Sequence, residues 1–381
     1  MAPVRVAVLG VGRWSRRAHL PAWRRDPRAE IVGIYDLDQT LSRAASDALG
    51  GVRIFPSATD LISSGDVDAV DVVTWGPAHF EAAMSAIEGG KHVLCEKPVH
   101  RDFRETLRAH RAAQEKGLRT KVGFTFRFSP AMMHVRELIE EGFVGRPLVF
   151  NGFEQNSQFL DPMTPIRVGE GDASNNPEIQ VGSLEGYGAP IIDLARWFVG
   201  SELEEVVGML SNLIPERVVP GSTLPVRLPI DDADCFIGRF RNGVMCTIQS
   251  SYVTIGNYPG LEARIYGTEG ALVCRLVTED RLCERLWGAR KDAVEFKPLE
   301  IPARLYPRSG GPSEAWETSF YSNLVANFIS EIEDPNLLSG GDFADAVAVQ
   351  QVINAVEISY RRRGWVSLPL DDETAQIPGR A

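Results

Sequence analysis

The first 125 residues alternate between short β-branched runs and helical stretches, and this alternation limits the possible folds more than any other feature. Strands joined through helices form a parallel sheet with right-handed crossovers, in which both faces of each apolar strand are covered. The pattern therefore predicts a doubly wound parallel sheet. Its predicted strands are Val4–Leu9, Ile31–Tyr35, Ala69–Thr74, His92–Cys95 and Lys121–Phe124. Two of its predicted helices are Phe80–Glu88 and Phe103–Lys116.

The pattern changes after about residue 127. A predicted helix over Ala131–Glu141 is followed by a polar, irregular region from 151 to 182 and then by consecutive strands, which indicate an antiparallel sheet. Asn242-Gly243 between two of these strands predicts a type I′ hairpin. The predicted strands and the final packing helix are Cys235–Phe240, Val244–Ser250, Glu262–Tyr266, Leu272–Cys274 and Phe343–Arg361.

With 381 residues, the chain is long enough for two domains. We predict an α/β domain over residues 1–126, a Rossmann-type doubly wound parallel sheet. An α+β domain with a large, mostly antiparallel open sheet is predicted over residues 127–381. The open face of such a sheet needs a cover.

Charge and residue counts exclude several classes of protein. Lysine and arginine number 40 against 51 aspartates and glutamates, so the net charge of −11 offers no basic surface for nucleic acid or an anionic membrane. Five cysteines without a Cys-x-x-Cys pair favour reduced thiols in the cytoplasm, with no disulfide framework and no metal site. No apolar run reaches the roughly 18 residues of a membrane-spanning helix. The six histidines all lie at or before position 134, so the second half must supply any acid or base from another residue type.

A glycine turn follows the first predicted strand directly. The run from Gly10 to Ser15 reads G-x-G-x-x-S and leads into a helical stretch. Gly10 permits the tight turn, Gly12 lets a pyrophosphate approach the backbone, and Ser15 is small enough for close helix–strand packing. The spacing predicts a dinucleotide-binding turn, and the residues expected to contact the cofactor there are Gly10, Gly12, Arg13 and Trp14.

Asp36 ends the second predicted strand, 21 residues after Ser15. A carboxylate at this place accepts hydrogen bonds from the adenosine ribose and repels a 2′-phosphate, which favours NAD(H) over NADP(H). Two alternatives stay open. Asp36 can simply cap a βα turn, and Arg13 or Arg43 can reach a 2′-phosphate, which would admit NADP.

A charged pair and a proline follow the strand His92–Cys95. In Glu96-Lys97-Pro98 the lysine stands at the carboxyl end of a parallel strand, where ligands bind in open α/β sheets. A lysine beside a nicotinamide can exchange a proton with a substrate hydroxyl while hydride moves. The alternative is a solvated lysine in a surface turn.

Together these motifs resemble the glucose–fructose oxidoreductase, inositol dehydrogenase and rhizopine-catabolism (Gfo/Idh/MocA) family. The resemblance covers nearly the whole chain, and the family's T-P-N-x-x-H reads Thr74-Trp75-Gly76-Pro77-Ala78-His79 here. Further segments that carry it are 90–98, which contains Glu96-Lys97-Pro98, then Val122–Phe128, Asp231-Asp232-Ala233 and 244–270. The resemblance implies a nicotinamide-dependent oxidoreductase of a sugar, cyclitol or related polyol that forms a homo-dimer or homo-tetramer.

The resemblance also implies roles for single residues. Lys97 would transfer the proton, Glu96 would contact the nicotinamide side, and Arg127 would lie at the junction of cofactor and substrate. The residues expected along the cofactor ribose and diphosphate are Thr74, Trp75 and His79. An alternative for His79 is a histidine at a helix start that bonds the backbone.

The second domain departs from the family pattern. Many members carry D-x-G-x-H-x-x-D at a helix start, where the Asp and the His face the sugar. In this chain the corresponding run keeps Gly188 and the final Asp193, but Gly186 replaces the first Asp and Pro190 replaces the His.

Three explanations of this departure stay open. Lys97 can act with Tyr187 or Glu185 as the second polar contact, although a lysine needs neighbours or desolvation to act as a base near neutral pH, and Tyr187 can equally be a packing residue. The substrate can be an imine or ketone that needs no histidine. The protein can have lost turnover and act as an NAD(H)-linked sensor, while a cycle of transient oxidation without net NADH is a less favoured reading.

Polar residues that suit a polyhydroxyl ligand, or else form a solvated loop, are Gln155, Asn156, Gln158, Asp161 and Arg167.

Overall fold

The structure of the protein is a computed structural model. It describes residues 2–166, 180–255, 260–278, 283–307, 310–311 and 314–371, so Arg167 lies outside the described residues. The described residues form two compact units. The first comprises residues up to 128 together with those from 307 to 347, and the second comprises those from 129 to 306 together with those from 348 onward.

The elements are numbered in chain order. The helices are α1 Leu20–Arg25, α2 Gln39–Ala48, α3 Ala58–Ser63, α4 His79–Glu88, α5 Phe103–Glu115, α6 Pro130–Glu140, α7 Ala189–Val199, α8 Trp316–Glu333 and α9 Phe343–Arg362. The strands are β1 Val4–Leu9, β2 Ala29–Tyr35, β3 Arg53–Ile54, β4 Ala69–Val72, β5 His92–Cys95, β6 Thr120–Val122, β7 Pro147–Gln155, β8 Leu203–Ser211, β9 Glu216–Val218, β10 Pro225–Arg227, β11 Ala233–Phe240, β12 Met245–Ser251, β13 Gly260–Gly267, β14 Gly270–Val277, β15 Glu284–Arg290, β16 Lys297–Leu299 and β17 Val366–Ser367.

The sheet of the first unit is parallel throughout and has the strand order β3-β2-β1-β4-β5-β6. The central strand β1 is apolar on both faces, and Val6, Ala7 and Val8 are completely buried. This order confirms the predicted doubly wound sheet. Strands β2 and β3 are added on one side of β1 and strands β4 to β6 on the other side, so the topological switch point lies between β1 and β4. Ligands bind at the carboxyl ends of the strands at such a point.

Helix α8 returns to the first unit from far along the chain. Leu324, Val325 and Phe328 are completely buried in one apolar cluster with Val6 of β1 and Trp23 of α1. The predicted first domain, 1–126, does not include this helix. Alternation of strands and helices identifies neighbours along the chain, and a helix that joins the sheet much later leaves no mark in that pattern.

The second unit contains a nine-stranded sheet with the order β16-β15-β14-β13-β7-β12-β11-β8-β17. Neighbours are antiparallel except β7 and β12, which run parallel, so the predicted α+β domain with a mostly antiparallel sheet is confirmed. Helix α7 packs on β7. Gly152 permits this approach, because a Cβ there would lie 2.2 Å from Cγ2 of Ile191.

Two local predictions are wrong. Residues 151–155 are not irregular but belong to β7, whose small and polar residues conceal a strand that pairs with both β12 and β13. The hairpin at Asn242-Gly243 exists but is not type I′. Gly243 has φ 86° and Asn242 does not have a positive φ. The N–H of Phe240 donates to the carbonyl of Val244 at 2.8 Å, which closes a three-residue loop with a left-handed glycine.

None of the described helices is both long enough and apolar enough to cross a membrane. The five cysteines are free thiols, of which only Cys235 is exposed.

Candidate active site

The glycine turn leads from β1 into the helical segment that starts at Ser15. Gly10 has φ 92°, and a Cβ at this position would lie 2.5 Å from the carbonyl oxygen of Val73. The turn therefore needs glycine both for its backbone conformation and for the space it leaves. Ser15 is completely buried, which is consistent with close packing of the helical segment on the sheet.

Asp36 at the end of β2 is tied to the glycine turn. Its Oδ2 accepts the N–H of Val11 at 2.8 Å and its Oδ1 accepts the N–H of Asp38 at 2.9 Å. Each carboxylate oxygen has a second lone pair for a further donor, so the turn-capping contact is compatible with a contact to a ribose. Arg13 and Arg43 are both exposed.

Two buried polar atoms follow β4. Oγ1 of Thr74 and Nε1 of Trp75 are buried and have no hydrogen-bond partner among the described residues. Because buried polar atoms in folded proteins are nearly always hydrogen-bonded, these two mark a place where a polar ligand can complete the bonding. The backbone N of Thr74 also lies 2.8 Å from the Cβ position at Gly10, so both atoms follow a chain segment packed on the glycine turn. The residues present thus fit a bound dinucleotide at this edge of the sheet.

His79 at the start of α4 contacts the backbone. Its Nδ1 lies 2.8 Å from the carbonyl oxygen of Pro98 and its Nε2 lies 2.9 Å from that of Thr74. Burial lowers the pKa of His79 and favours the neutral ring, which carries one N–H and donates to one of these carbonyls. These contacts are those of the alternative in which His79 bonds the backbone.

A buried cluster surrounds the Glu96 carboxylate just beyond β5. His19 lies between two carboxylates, with Nδ1 2.9 Å from Oδ2 of Asp71 and Nε2 3.2 Å from Oε1 of Glu96. Tyr321 of α8 donates its hydroxyl to the same Oε1. Nε1 of Trp14 lies 2.9 Å from the Tyr321 hydroxyl and 3.3 Å from Oε1 of Glu96. We call these five residues the Glu96 cluster.

The Glu96 cluster keeps its acid ionised. Burial lowers the pKa of His19, but the charge of Asp71 and the hydrogen bonds to Asp71 and Glu96 outweigh burial and raise this pKa to about 9. Burial raises the pKa of Glu96, but the hydrogen bond and charge of His19, together with Tyr321 and Lys97, lower it to about 2. Burial and the charge of Glu96 raise the pKa of Tyr321 well above its ordinary value. At neutral pH the cluster therefore contains an imidazolium, a carboxylate at Glu96 and an un-ionised phenol.

The backbone of Lys97 is fixed by the same carboxylate. Its N–H donates to Oε2 of Glu96 at 3.1 Å, and its side chain is half-buried. Gly123 beyond β6 makes room for Glu96, because a Cβ there would lie 2.6 Å from Oε1. Arg127, the predicted junction residue, is buried and has its Nη1 3.3 Å from Oδ2 of Asp345.

In the second unit, the structure brings together Tyr187, Asn156 and Gln158. The amide of Asn156 donates to the Tyr187 hydroxyl, which donates to Oε1 of Gln158 at 3.3 Å. Arg217, which is almost completely buried, holds this loop by donating to the carbonyl of Phe159 at 2.9 Å. Three neutral polar groups thus converge just beyond the end of β7.

A tyrosine occupies the space that Gly186 leaves. A Cβ at Gly186 would lie 2.1 Å from the hydroxyl oxygen of Tyr252, which donates to the carbonyl of Gly182 at 3.0 Å. The rings of Tyr252 and Tyr187 meet edge to face, with centroids 4.7 Å apart. An Asp at position 186 would collide with this hydroxyl, so glycine and Tyr252 form a matched pair.

The other predicted second-unit residues have varied surroundings. Glu185 is buried in the π-helical segment Leu184–Gly188 that leads directly into α7, Asp193 is buried within α7, and Pro190 is the second residue of that helix. Gln155 ends β7 half-buried. Asp161 is exposed and accepts the N–H of Met163, as in a turn.

A second buried carboxyl cluster lies beneath Ser183. The hydroxyl of Ser183 is 3.0 Å from Oδ2 of Asp231 and 2.5 Å from Oδ2 of Asp234, and the hydroxyl of Ser250 also bonds Asp234. Burial and the charge of Asp231 raise the pKa of Asp234 to about 7, against hydrogen bonds from the two serines. We call these four residues the Asp234 cluster.

Sequence reasoning missed most of the Glu96 cluster. Asp71 gave a usable signal, because a carboxylate inside the apolar run from Val70 to Val73 must find a buried partner. The only signal for His19 is its position shortly after the glycine turn. Tyr321 gave no local signal, since it lies 225 residues beyond Glu96.

Comparison with known proteins identifies the family to which the sequences of both units belong. Residues 4–124 match the model of an oxidoreductase family with an NAD-binding Rossmann fold, and residues 132–273 match the model of the GFO/IDH/MocA C-terminal domain. Levoglucosan dehydrogenase of Pseudarthrobacter phenanthrenivorans is 28% identical over 81% of this chain and 82% of its own. D-apiose dehydrogenase of Paraburkholderia graminis is 30% identical over 72% of this chain and 68% of its own.

Solved structures resemble the fold over nearly its full length. Levoglucosan dehydrogenase in complex with NADH and L-sorbose superposes with a TM-score of 0.83 at 25% identity, covering 97% of this chain and 100% of the other. An NAD-binding oxidoreductase from Klebsiella pneumoniae has a TM-score of 0.84 at 23% identity with the same coverage, which shows the fold alone. On these matches, the chain belongs to the Gfo/Idh/MocA family of oxidoreductases and contains its NAD-binding Rossmann domain.

Proposed function

We propose that the protein transfers hydride between NAD(H) and a carbinol or keto carbon of a sugar, cyclitol or related polyol, with Lys97 exchanging the proton of the substrate oxygen. The observation that supports this most is the convergence of the first unit's chemistry on one edge of its parallel sheet. The glycine turn, Asp36, the unsatisfied atoms of Thr74 and Trp75, and Lys97 all follow carboxyl ends of strands. Bound there, the dinucleotide supplies or accepts the hydride.

For the cofactor, we propose NAD(H) rather than NADP(H). The two hydrogen bonds to Asp36 hold a carboxylate beside the glycine turn, where it would accept ribose hydroxyls and repel a 2′-phosphate. In titrations of NADH and NADPH binding, wild-type protein should prefer NADH. Asp36→Ala should reduce that preference by on the order of tenfold, because repulsion of the wrong cofactor is lost. Equal affinity of the wild type for both cofactors would favour a role for Arg13 or Arg43.

On the substrate side, we propose that Tyr187, Asn156 and Gln158 bind hydroxyl groups in place of the missing Asp and His. Each offers a neutral donor or acceptor, which suits a polyol without adding charge. Glu185 and Asp193 are predicted to contribute as well. Both are buried in or beside the turn that carries Tyr187.

A non-catalytic NAD(H)-linked sensor is the second candidate. The pairing of Gly186 with Tyr252, together with Pro190 at the start of α7, favours it, because these residues leave no acid or imidazole at the positions where many family members have them. A sensor would bind NADH firmly and exchange hydride with no sugar.

We further propose that the open sheet face mediates self-association into a homo-dimer or homo-tetramer. Apolar side chains are exposed on neighbouring strands of that face, including Met209, Ile237 and Met245. Light scattering during size-exclusion chromatography should give a multiple of 41.9 kDa, and Ile237→Glu should lower it. A wild-type mass of one chain would contradict the proposal.

The cytoplasmic location stays a prediction from the cysteine pattern.

The decisive experiment follows the reduced-nicotinamide absorbance. Wild-type protein with NAD⁺ would be mixed with levoglucosan, myo-inositol, D-apiose and other polyols, and with NADH and the corresponding keto compounds and L-sorbose. We expect turnover of at least one compound, and a loss of roughly 100-fold or more in kcat for Lys97→Ala because the proton transfer is removed.

Lys116→Ala is the matched control, because Lys116 is exposed and, among the described residues, its ammonium bonds only the carbonyl of Glu88 at the end of α4. Turnover that survives Lys97→Ala unchanged would remove the proposed role of the lysine. Firm NADH binding without turnover of any compound would instead favour the sensor.

A further inference from the structure

The Glu96 cluster contains more buried charge than folding requires. Asp71 and His19 are completely buried, and Glu96 is nearly so. A buried ion pair is at best a weak source of stability, because desolvation offsets much of the attraction between the charges. Packed apolar residues at these three positions would cover the same region, so the presence of the charges points to a task beyond folding.

All the donors of the cluster converge on one oxygen. Oε1 of Glu96 accepts hydrogen bonds from the imidazole of His19, the hydroxyl of Tyr321 and the indole N–H of Trp14. Oε2 is left to accept the backbone N–H of Lys97 at 3.1 Å. The cluster thus fixes the carboxylate from one side while its other oxygen fixes the backbone of the lysine.

The three donors come from separate parts of the first unit. Trp14 belongs to the glycine turn, His19 follows it, and Tyr321 lies on α8. His19 is itself hydrogen-bonded to Asp71, which also accepts a hydrogen bond from Nε1 of Trp23 at 2.8 Å. Removing a single donor therefore changes the support of Glu96 without removing Glu96 or Lys97.

We propose that His19 and Tyr321 are positioning residues, which hold Glu96 as a carboxylate in one orientation and thereby set the place and the charge surroundings of Lys97. This inference rests on the proposed function, in which Lys97 exchanges the substrate proton. His19 and Tyr321 touch neither cofactor nor substrate in this proposal. They act on Lys97 only through Glu96.

The test uses the full-length protein and the variants Tyr321→Phe and His19→Gln. Tyr321→Phe removes one hydroxyl and keeps the ring in its contacts with Trp14 and His19. With the substrate found by the absorbance assay, we expect kcat to fall on the order of tenfold while the KM for NAD(H) stays within about twofold. The limb of the pH–rate profile that Lys97 sets should also shift.

A second readout needs no substrate. The chain has six lysines, so reductive methylation with ¹³C-formaldehyde gives at most six dimethyl-lysine signals in NMR, and Lys97→Arg assigns one of them. In Tyr321→Phe and His19→Gln we expect the Lys97 signal to change in chemical shift and titration midpoint. The signal of Lys291, which lies in the second unit, should not change.

Tyr306→Phe is the matched control, because the Tyr306 hydroxyl also bonds a carboxyl, that of the half-buried Glu284 in the second unit. This control should leave kcat, the pH–rate profile and the Lys97 signal as in the wild type. If folded Tyr321→Phe protein behaves as this control does in all three measurements, the inference is wrong. If the wild type turns over no compound, the proposed function fails, and the Lys97 signal alone then decides the inference. If His19→Gln does not fold, Tyr321→Phe decides it.

Discussion

Glu96 in the first unit and Asp234 in the second are both buried carboxyl side chains, yet the groups around them differ in charge. An imidazolium, a phenol and an indole N–H surround Glu96, and its pKa falls to about 2. Two serine hydroxyls and a second carboxyl surround Asp234, and its pKa rises to about 7. Burial raises both pKa values, so the neighbouring charges account for the difference: the His19 imidazolium lowers the pKa of Glu96, and the Asp231 carboxyl raises that of Asp234.

The comparison teaches how the two units divide the chemistry. The first unit retains the charged residues of its family motif and supports them with further buried charge. The second unit lacks the Asp and the His of its family motif and presents the neutral groups of Tyr187, Asn156 and Gln158. In this protein, proton transfer is therefore expected to depend on the first unit, and recognition of hydroxyl groups on the second.

Removal of the cation should break the comparison with the largest effect. His19→Leu leaves Asp71 and Glu96 buried without their positive partner, and we expect a loss of about 3–5 kcal/mol in the free energy of unfolding at pH 6. Urea denaturation followed by tryptophan fluorescence measures it. His134→Leu is the control, because His134 and Glu137 form a more exposed pair on α6, where an ion pair contributes about 0–1 kcal/mol. Equal losses in the two variants would contradict the assignment of charge to the Glu96 cluster.

The pH dependence of this loss has a definite sign. His19 has a pKa raised from 6.5 to about 9, so it contributes its full stabilisation below about pH 6.5 and loses it as the pH rises through about 9. The difference between wild type and His19→Leu should therefore shrink between pH 6.5 and 9. A constant difference over this range would indicate an uncharged imidazole.

Asp234→Asn tests the other half of the comparison, with a smaller expected effect. Because the folded-state pKa of Asp234 is raised from 3.8 to about 7, its protonated form stabilises the fold at low pH, and this contribution is lost as the pH rises through about 7. The amide cannot ionise, so relative to wild type the variant should gain a few kcal/mol in the free energy of unfolding between pH 4 and 7. Cys235→Ser, at the exposed neighbouring position, is the control. A variant that follows the wild type at every pH would show that Asp234 is ionised throughout.

Much of this arrangement follows from sequence, and the exceptions have a common cause. The order of strands and helices, the glycine turn, Asp36 and Lys97 are local patterns, which alternation and spacing reveal. The contact of Tyr321 with Glu96 and the pairing of Gly186 with Tyr252 join residues that are far apart in the chain. The pKa of Asp234 likewise depends on the carboxyl and hydroxyl groups that are buried beside it. Strand β7 was hidden for a related reason, since pairing with β12 and β13 rather than its own apolar pattern stabilises it.

The smallest effect is expected from Tyr187→Phe, which sharpens the role of the second unit. Removing the hydroxyl deletes its bonds to Asn156 and Gln158 and keeps the ring against Tyr252. If the hydroxyl binds the substrate, one neutral hydrogen bond of about 1 kcal/mol is lost, and KM for the substrate should rise about fivefold with a smaller change in kcat. Tyr360→Phe at an exposed position on α9 should leave both unchanged. An unchanged KM in Tyr187→Phe would identify Tyr187 as a packing residue, and substrate recognition would then have to come from other groups, such as the buried carboxyl of Glu185.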